Sequence, residues 1–199
     1  MAARAATDGE GVDASVPWWR RKRPRLPPPP PEADAEEVKA EALALMAAHP
    51  VLPRLVVFDL DHTLWPFHDR LPKDEPPYLY PQARGILKAL KDRGIEMAIA
   101  SRASRKKGVA KAFLEKLGIH FMFGAQEIFY TWSPKNEHFQ SIHRKTGTRK
   151  LGVSCVLVDT GITLEKLRTG LSNYANRSAS PNAEPAGGRS AEITWCRAI

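Results

Sequence analysis

Apolar residues change their spacing along this chain in a regular alternation. Leu55-Val56-Val57-Phe58 is an unbroken apolar run, as expected of a short strand buried on both faces. Residues 82–92 switch to helical spacing and stop at Gly94, and Ile95 to Ala100 is again continuous and apolar. The same exchange recurs three times. A helix over 106–117 closes at Gly118, and a strand lies within 122–129. A helix over 135–145 ends at Gly147, followed by a strand over 153–158 and a last helix over 163–171. Strands alternating with helices predict an α/β fold, a mostly parallel sheet with helices on both faces. Ligands in such sheets bind at the carboxyl ends of strands.

The flanks read differently. Residues 1–34 are rich in Ala, Arg and Pro and end in the run Pro27 to Pro31, so they predict a disordered, basic lead with an extended spacer. Residues 35–50 predict a short amphipathic helix carrying Val38, Leu43, Leu45 and Met46, stopped by His49-Pro50. The folded domain is expected over 51–175, and residues 176–199 read as an irregular, disordered tail.

Composition narrows the class. A hydrophobic content of 43% is enough for a core, and no apolar run approaches the roughly 20 residues needed to cross a bilayer. The first residues lack a secretory pattern. Two cysteines cannot form a disulfide framework, and Cys155, inside an apolar run, reads as a small buried residue in a reducing compartment. The net charge of +8 gathers in Arg20-Arg21-Lys22-Arg23-Pro24-Arg25 and in Arg102, Arg105, Lys106, Lys107 and Lys111. Such a charge suits phosphate-bearing partners, whether small phosphomonoesters or nucleic acid. The first cluster reads as a solvated tail or as a nuclear address; Asp8, Glu10 and Asp13 weaken an organellar transit reading without excluding it.

Two acids follow the first strand at once, in Phe58-Asp59-Leu60-Asp61-His62-Thr63. Alternation along an extended chain lets Asp59 and Asp61 face one crevice. Two close carboxylates repel, by about 4 kcal/mol at 4 Å in partly screened surroundings. A hard cation beside them, magnesium above all, removes that penalty. The plain alternative is a solvated turn. His138 and His143, five apart on a helix, are badly spaced to share a metal. Residues 64–80, with four prolines and Trp65, Phe67, Tyr78 and Tyr80, predict a small flap over the site.

Asp59-Leu60-Asp61-His62-Thr63 resembles the D-x-D-x-[TV] signature of the haloacid dehalogenase (HAD) superfamily, and the continuation Leu64-Trp65-Pro66-Phe67 is similar to its magnesium-dependent phosphatase family. The resemblance covers roughly residues 50–175. It implies a HAD-like, Rossmannoid three-layer sandwich with a minimal cap. It also implies that Asp59 attacks phosphorus to form an aspartyl-phosphate and that Asp61 serves as general acid, then base. The Asp59 carboxylate and the Asp61 backbone carbonyl would hold Mg2+. The Leu60 amide, Ser101, Arg102 and Lys135 would bind the substrate phosphate. Taken alone, Ser101 would be a turn or cap residue and Lys135 a surface lysine.

The likeness breaks after the helix over 135–145. The family has a further strand there, ending in adjacent acids that complete the magnesium site. Here Lys145-Thr146-Gly147 leads through Thr148-Arg149-Lys150 into the next strand, and the chain has no Asp-Asp pair. The sheet is therefore expected to be one strand–helix unit short. Residues 153–158 are expected to slide into the vacated place and to bring Asp159 to the metal. The function expected is a magnesium-dependent phosphomonoesterase acting on phosphotyrosine peptides or small sugar phosphates. The alternative is an impaired form that binds phospho-ligands or partner proteins without turnover, and nucleic-acid binding by the lead is the weaker third reading. The chain is expected to be a cytoplasmic monomer without membrane contact, the nuclear address staying open.

Overall fold

The computed structural model describes residues 34–67, 71, 75–102, 108–129, 135–147, 153–158, 161–179 and 192–196. The chain runs α1 (Asp34–Ala47), β1 (Leu55–Phe58), α2 (Ala83–Asp92), β2 (Glu96–Arg102), α3 (Val109–Lys116), β3 (Ala125–Phe129), α4 (Lys135–Thr146), β4 (Val153–Leu157), α5 (Leu164–Ala179) and β5 (Glu192–Cys196), with one 3-10 turn at His120–Met122. The expected alternation is present. The strands form one sheet in the order β3-β2-β1-β5-β4, and each adjacent pair is parallel.

β1 lies at the centre because its sequence permits nothing else. All four of its side chains are buried, and each contributes about 1.5–3 kcal/mol by leaving water. Val56 and Phe58 face one side, with Met97, Ile99, Val156 and Val158 and with residues of α1, α2, α3 and α5. Leu55 and Val57 face the other, with Ala98, Ala100 and Ala125, where Phe139 and Ile142 of α4 cover them. An ion pair between an exposed lysine and a buried glutamate, Lys145 Nζ 2.6 Å from Glu127 Oε1, ties α4 to β3.

The amino-terminal helix belongs to the domain. α1 packs on α2 and α5. Gly85 of α2 permits the approach: a Cβ there would stand 2.6 Å from the Ala35 carbonyl oxygen and 2.7 Å from Val38. Lys88 to Glu36 (2.7 Å) and Lys39 to Asp92 (2.6 Å) close the rim. His49, at the end of α1, holds the Leu45 carbonyl at 2.8 Å and Ser172 of α5 at 3.3 Å.

Four expectations are corrected. β4 does not occupy the place beside β1; β5 does, pairing Leu55 with Glu192 through Phe58 with Trp195, while β4 lies outside it. The stretch 176–199 is not wholly irregular, because α5 runs on to Ala179 and residues 192–196 form that strand. Two aromatic residues of the flap expected over 64–80 belong to the core instead: Trp65 and Phe67 are 1% and 5% exposed and pack against Phe113 of α3. Cys155 is exposed, not buried. It shares the α4 side of the sheet with Leu157, 54% exposed, and among the described residues no helix covers β4 there. The slot has a strand, but that side of the outer strand lacks a cover.

Candidate active site

Because the strands are parallel, their carboxyl ends meet at one edge, and the signature acids stand there. Asp59 follows Phe58, the last residue of β1, and is half-buried. Phe58 pairs with Ile99, so Ser101 and Arg102 end β2 one strand away, with Ser101 in register with Ile128 and Arg102 with Phe129. Ser101 is 2% exposed, which sets it apart from an ordinary turn serine. Lys135 is the first residue of α4, the helix that follows β3. The structure thus gathers Asp59, Asp61, Ser101, Arg102 and the start of α4 at the carboxyl edge. Asp159 lies outside the described residues.

The signature folds into a tight, heavily bonded turn. The Leu60 carbonyl accepts from the amides of Thr63 (3.1 Å) and Leu64 (2.9 Å), and the His62 amide donates to the Trp65 carbonyl at 2.7 Å. His62 takes a φ of 58°, a conformation that costs an L-residue about 1–2 kcal/mol and persists where its surroundings over-determine it. Here they do: the His62 carbonyl accepts from Gly161 (3.2 Å), the Thr63 carbonyl from Ile162 (3.0 Å), and the Leu64 carbonyl from Tyr80 (2.8 Å). The start of α5 is pinned to the same region by the Leu164 amide donating to Gln82 Oε1 at 2.8 Å.

The carboxylates are held individually. The Leu60 amide donates to Asp59 Oδ1 at 2.9 Å, so the amide expected to meet phosphate faces the acid in this state. The Trp65 indole N–H donates to Asp61 Oδ1 at 2.8 Å. Nearby, burial foremost and then the charges of Glu75 and Tyr80 hold the Tyr78 phenol above its ordinary range. His138 is a core residue, stacked on Phe129 at 4.1 Å. Among the described residues no three His, Cys, Asp or Glu side chains converge on a metal position. Magnesium, however, needs only one or two carboxylates when water and a substrate phosphate complete its shell, so the oxygen donors of Asp59 and Asp61 fit it.

The role of Trp65 and the Gly161 clamp escaped the sequence reading. No periodicity marks a tryptophan four residues past an acid in a turn, and Tyr80 and Gly161 meet only in the folded chain.

A parallel Rossmann-type sheet with two carboxylates after its central strand and a buried serine beside them defines an α/β fold with its site in the usual crevice. No family model matches the chain. Curated proteins do match it, among them two relatives. One is magnesium-dependent phosphatase 1 of Homo sapiens, 32% identical over 164 residues, covering 65% of this chain and 92% of the relative. The other is a HAD-like hydrolase superfamily protein of Schizosaccharomyces pombe, 31% identical over 119 residues, covering 48% and 69% respectively. The chain belongs to the magnesium-dependent phosphatase family of the HAD superfamily.

Proposed function

We propose that this chain is a magnesium-dependent phosphomonoesterase that works through an aspartyl-phosphate on Asp59. The observation that carries the reading is the position of Asp59 and Asp61 just past the buried central strand, with Ser101 ending the neighbouring one. Family membership supports the reaction class, and the human relative's name supports the metal.

In this reading an Asp59 oxygen attacks phosphorus, and the bond to the leaving oxygen breaks as Asp61 gives it a proton. Water then attacks the same phosphorus, Asp61 takes the water's proton, and phosphate leaves with Asp59 restored. A carboxylate nucleophile divides a difficult displacement into two easier ones, and one acid–base group serves both halves. Ser101, Arg102, Lys135 and the Leu60 amide hold the phosphate oxygens. The Asp59 carboxylate and the Asp61 backbone carbonyl, with Asp159, would hold Mg2+, which when bound neutralises phosphate charge. The substrates are phosphotyrosine peptides or small sugar phosphates. Asp59→Asn tests the core of the reading. The wild type should hydrolyse a generic aryl phosphate in saturating magnesium and the variant should be inert; a variant as active as wild type refutes the nucleophile.

A second reading, an impaired form that binds phospho-ligands without turnover, is favoured by two observations. The match to the human protein runs over 164 positions but takes in 65% of 199 residues, about 129, so about 35 positions have no counterpart here. In addition, β5 fills the place beside Asp59 with a strand whose only acid, Glu192, sits at the opposite end. Asp159 decides how complete the metal site is. Calorimetry should show weaker magnesium binding for Asp159→Ala, and unchanged affinity removes Asp159 from the site.

A further inference from the structure

We propose that Trp65 is a positioning residue for proton transfer: its indole N–H fixes the orientation of the Asp61 carboxylate toward the leaving-group oxygen. The inference deepens the aspartyl-phosphate reading and rests on it.

An aspartate in a turn rotates about two side-chain bonds, and a general acid that wanders by an ångström loses much of its effect, on the order of 100-fold. Asp61 is restrained by a donor only four residues away, at 2.8 Å, and that donor cannot move. The Trp65 ring is 1% exposed. It stacks on Phe67 at 5.7 Å with planes 5° apart, and Phe113 meets it edge-on at 5.9 Å and 88°. Its backbone is bridged to Asp61 and bonded to His62. A buried indole needs an acceptor for its N–H. Any carbonyl would have served that need, yet here the acceptor is the carboxylate assigned to acid–base work. The aromatic block thus carries the rigidity of the core to a group at the mouth of the site.

The roles separate by leaving group. In the full-length chain with saturating magnesium, Trp65→Phe should lower kcat/KM for a simple alkyl phosphate about 100-fold, because that alkoxide must be protonated as it departs. For 4-nitrophenyl phosphate, whose phenolate leaves unaided, kcat/KM should change less than about threefold. Should the phenylalanine variant fail to fold, benzothienylalanine at position 65 keeps the bicyclic ring and lacks only the N–H, and the same divergence is expected. Equal losses on both substrates, or none, overturn the positioning role while leaving the phosphatase reading intact. A wild type without turnover on either substrate overturns both.

Discussion

Two glycines with similar backbone angles have different jobs. Gly94 has a φ of +70° and nothing within 4 Å of where a Cβ would stand; it only lets the chain leave α2. Gly161 has a φ of +90°, and a Cβ there would run into the Tyr80 ring. Its amide also donates to the carbonyl of His62, the residue held at positive φ in the signature turn. Alanine at 94 should therefore cost only about 1 kcal/mol for the left-handed backbone. At 161 it adds a steric clash of about 1–3 kcal/mol, about 2–4 kcal/mol with the backbone cost, and should lower the melting temperature by roughly 4–16 °C, at about 2–4 °C per kcal/mol for a chain of this size. Paired thermal melts check this, and equal shifts would remove Tyr80 from the account. Of the candidate residues, the places of Asp59, Asp61 and Ser101 at the carboxyl edge were legible because each stands at the end of an apolar run. Gly161 was not, since its constraint comes from a ring 81 positions earlier in the numbering.

At the scale of elements, β5 carries the most consequence for its length. Among the described strands β4 pairs only with β5, and β1 has β5 and β2 as its neighbours. Five residues thus join the β4–α5 half of the sheet to the half that bears β1, β2 and β3. Proline at Thr194 removes a backbone donor between two ladders, where it is hardly ever tolerated. Hydrogen exchange on Thr194→Pro should show amides of β4 losing protection at least tenfold more than those of β2 and β3. Unchanged protection in β4 would mean that the strand does not bind the halves together. The sequence hid this element for a physical reason. Glu192-Ile193-Thr194-Trp195-Cys196 is short, lacks a continuous apolar run and follows a stretch with Pro181, Pro185, Gly187 and Gly188. Its conformation is set by a slot between two parallel strands, and a slot is not a property of the segment that fills it. α1, in contrast, was legible from its own apolar spacing; Gly85 and its near contact with Ala35 were not.

For the molecule as a whole, the strand–helix alternation was enough to read a parallel sheet with its chemistry at one edge, because buried parallel strands need continuous apolar runs and crossover helices. Strand order was not readable, since it depends on which edge each crossover reaches. Nor was the uneven covering of the two faces, which leaves Cys155 and Leu157 in solvent beside a well-packed centre. The pairing of Phe58 with Trp195 has a consequence in time. On the ribosome β1 is made early, yet its second neighbour emerges only after every other strand and helix described here. Until then a fully apolar four-residue segment has one flank unpaired, the kind of edge that recruits foreign strands. Chaperone dependence during synthesis, and aggregation of any nascent chain released before residue 196, follow from so distant a partnership.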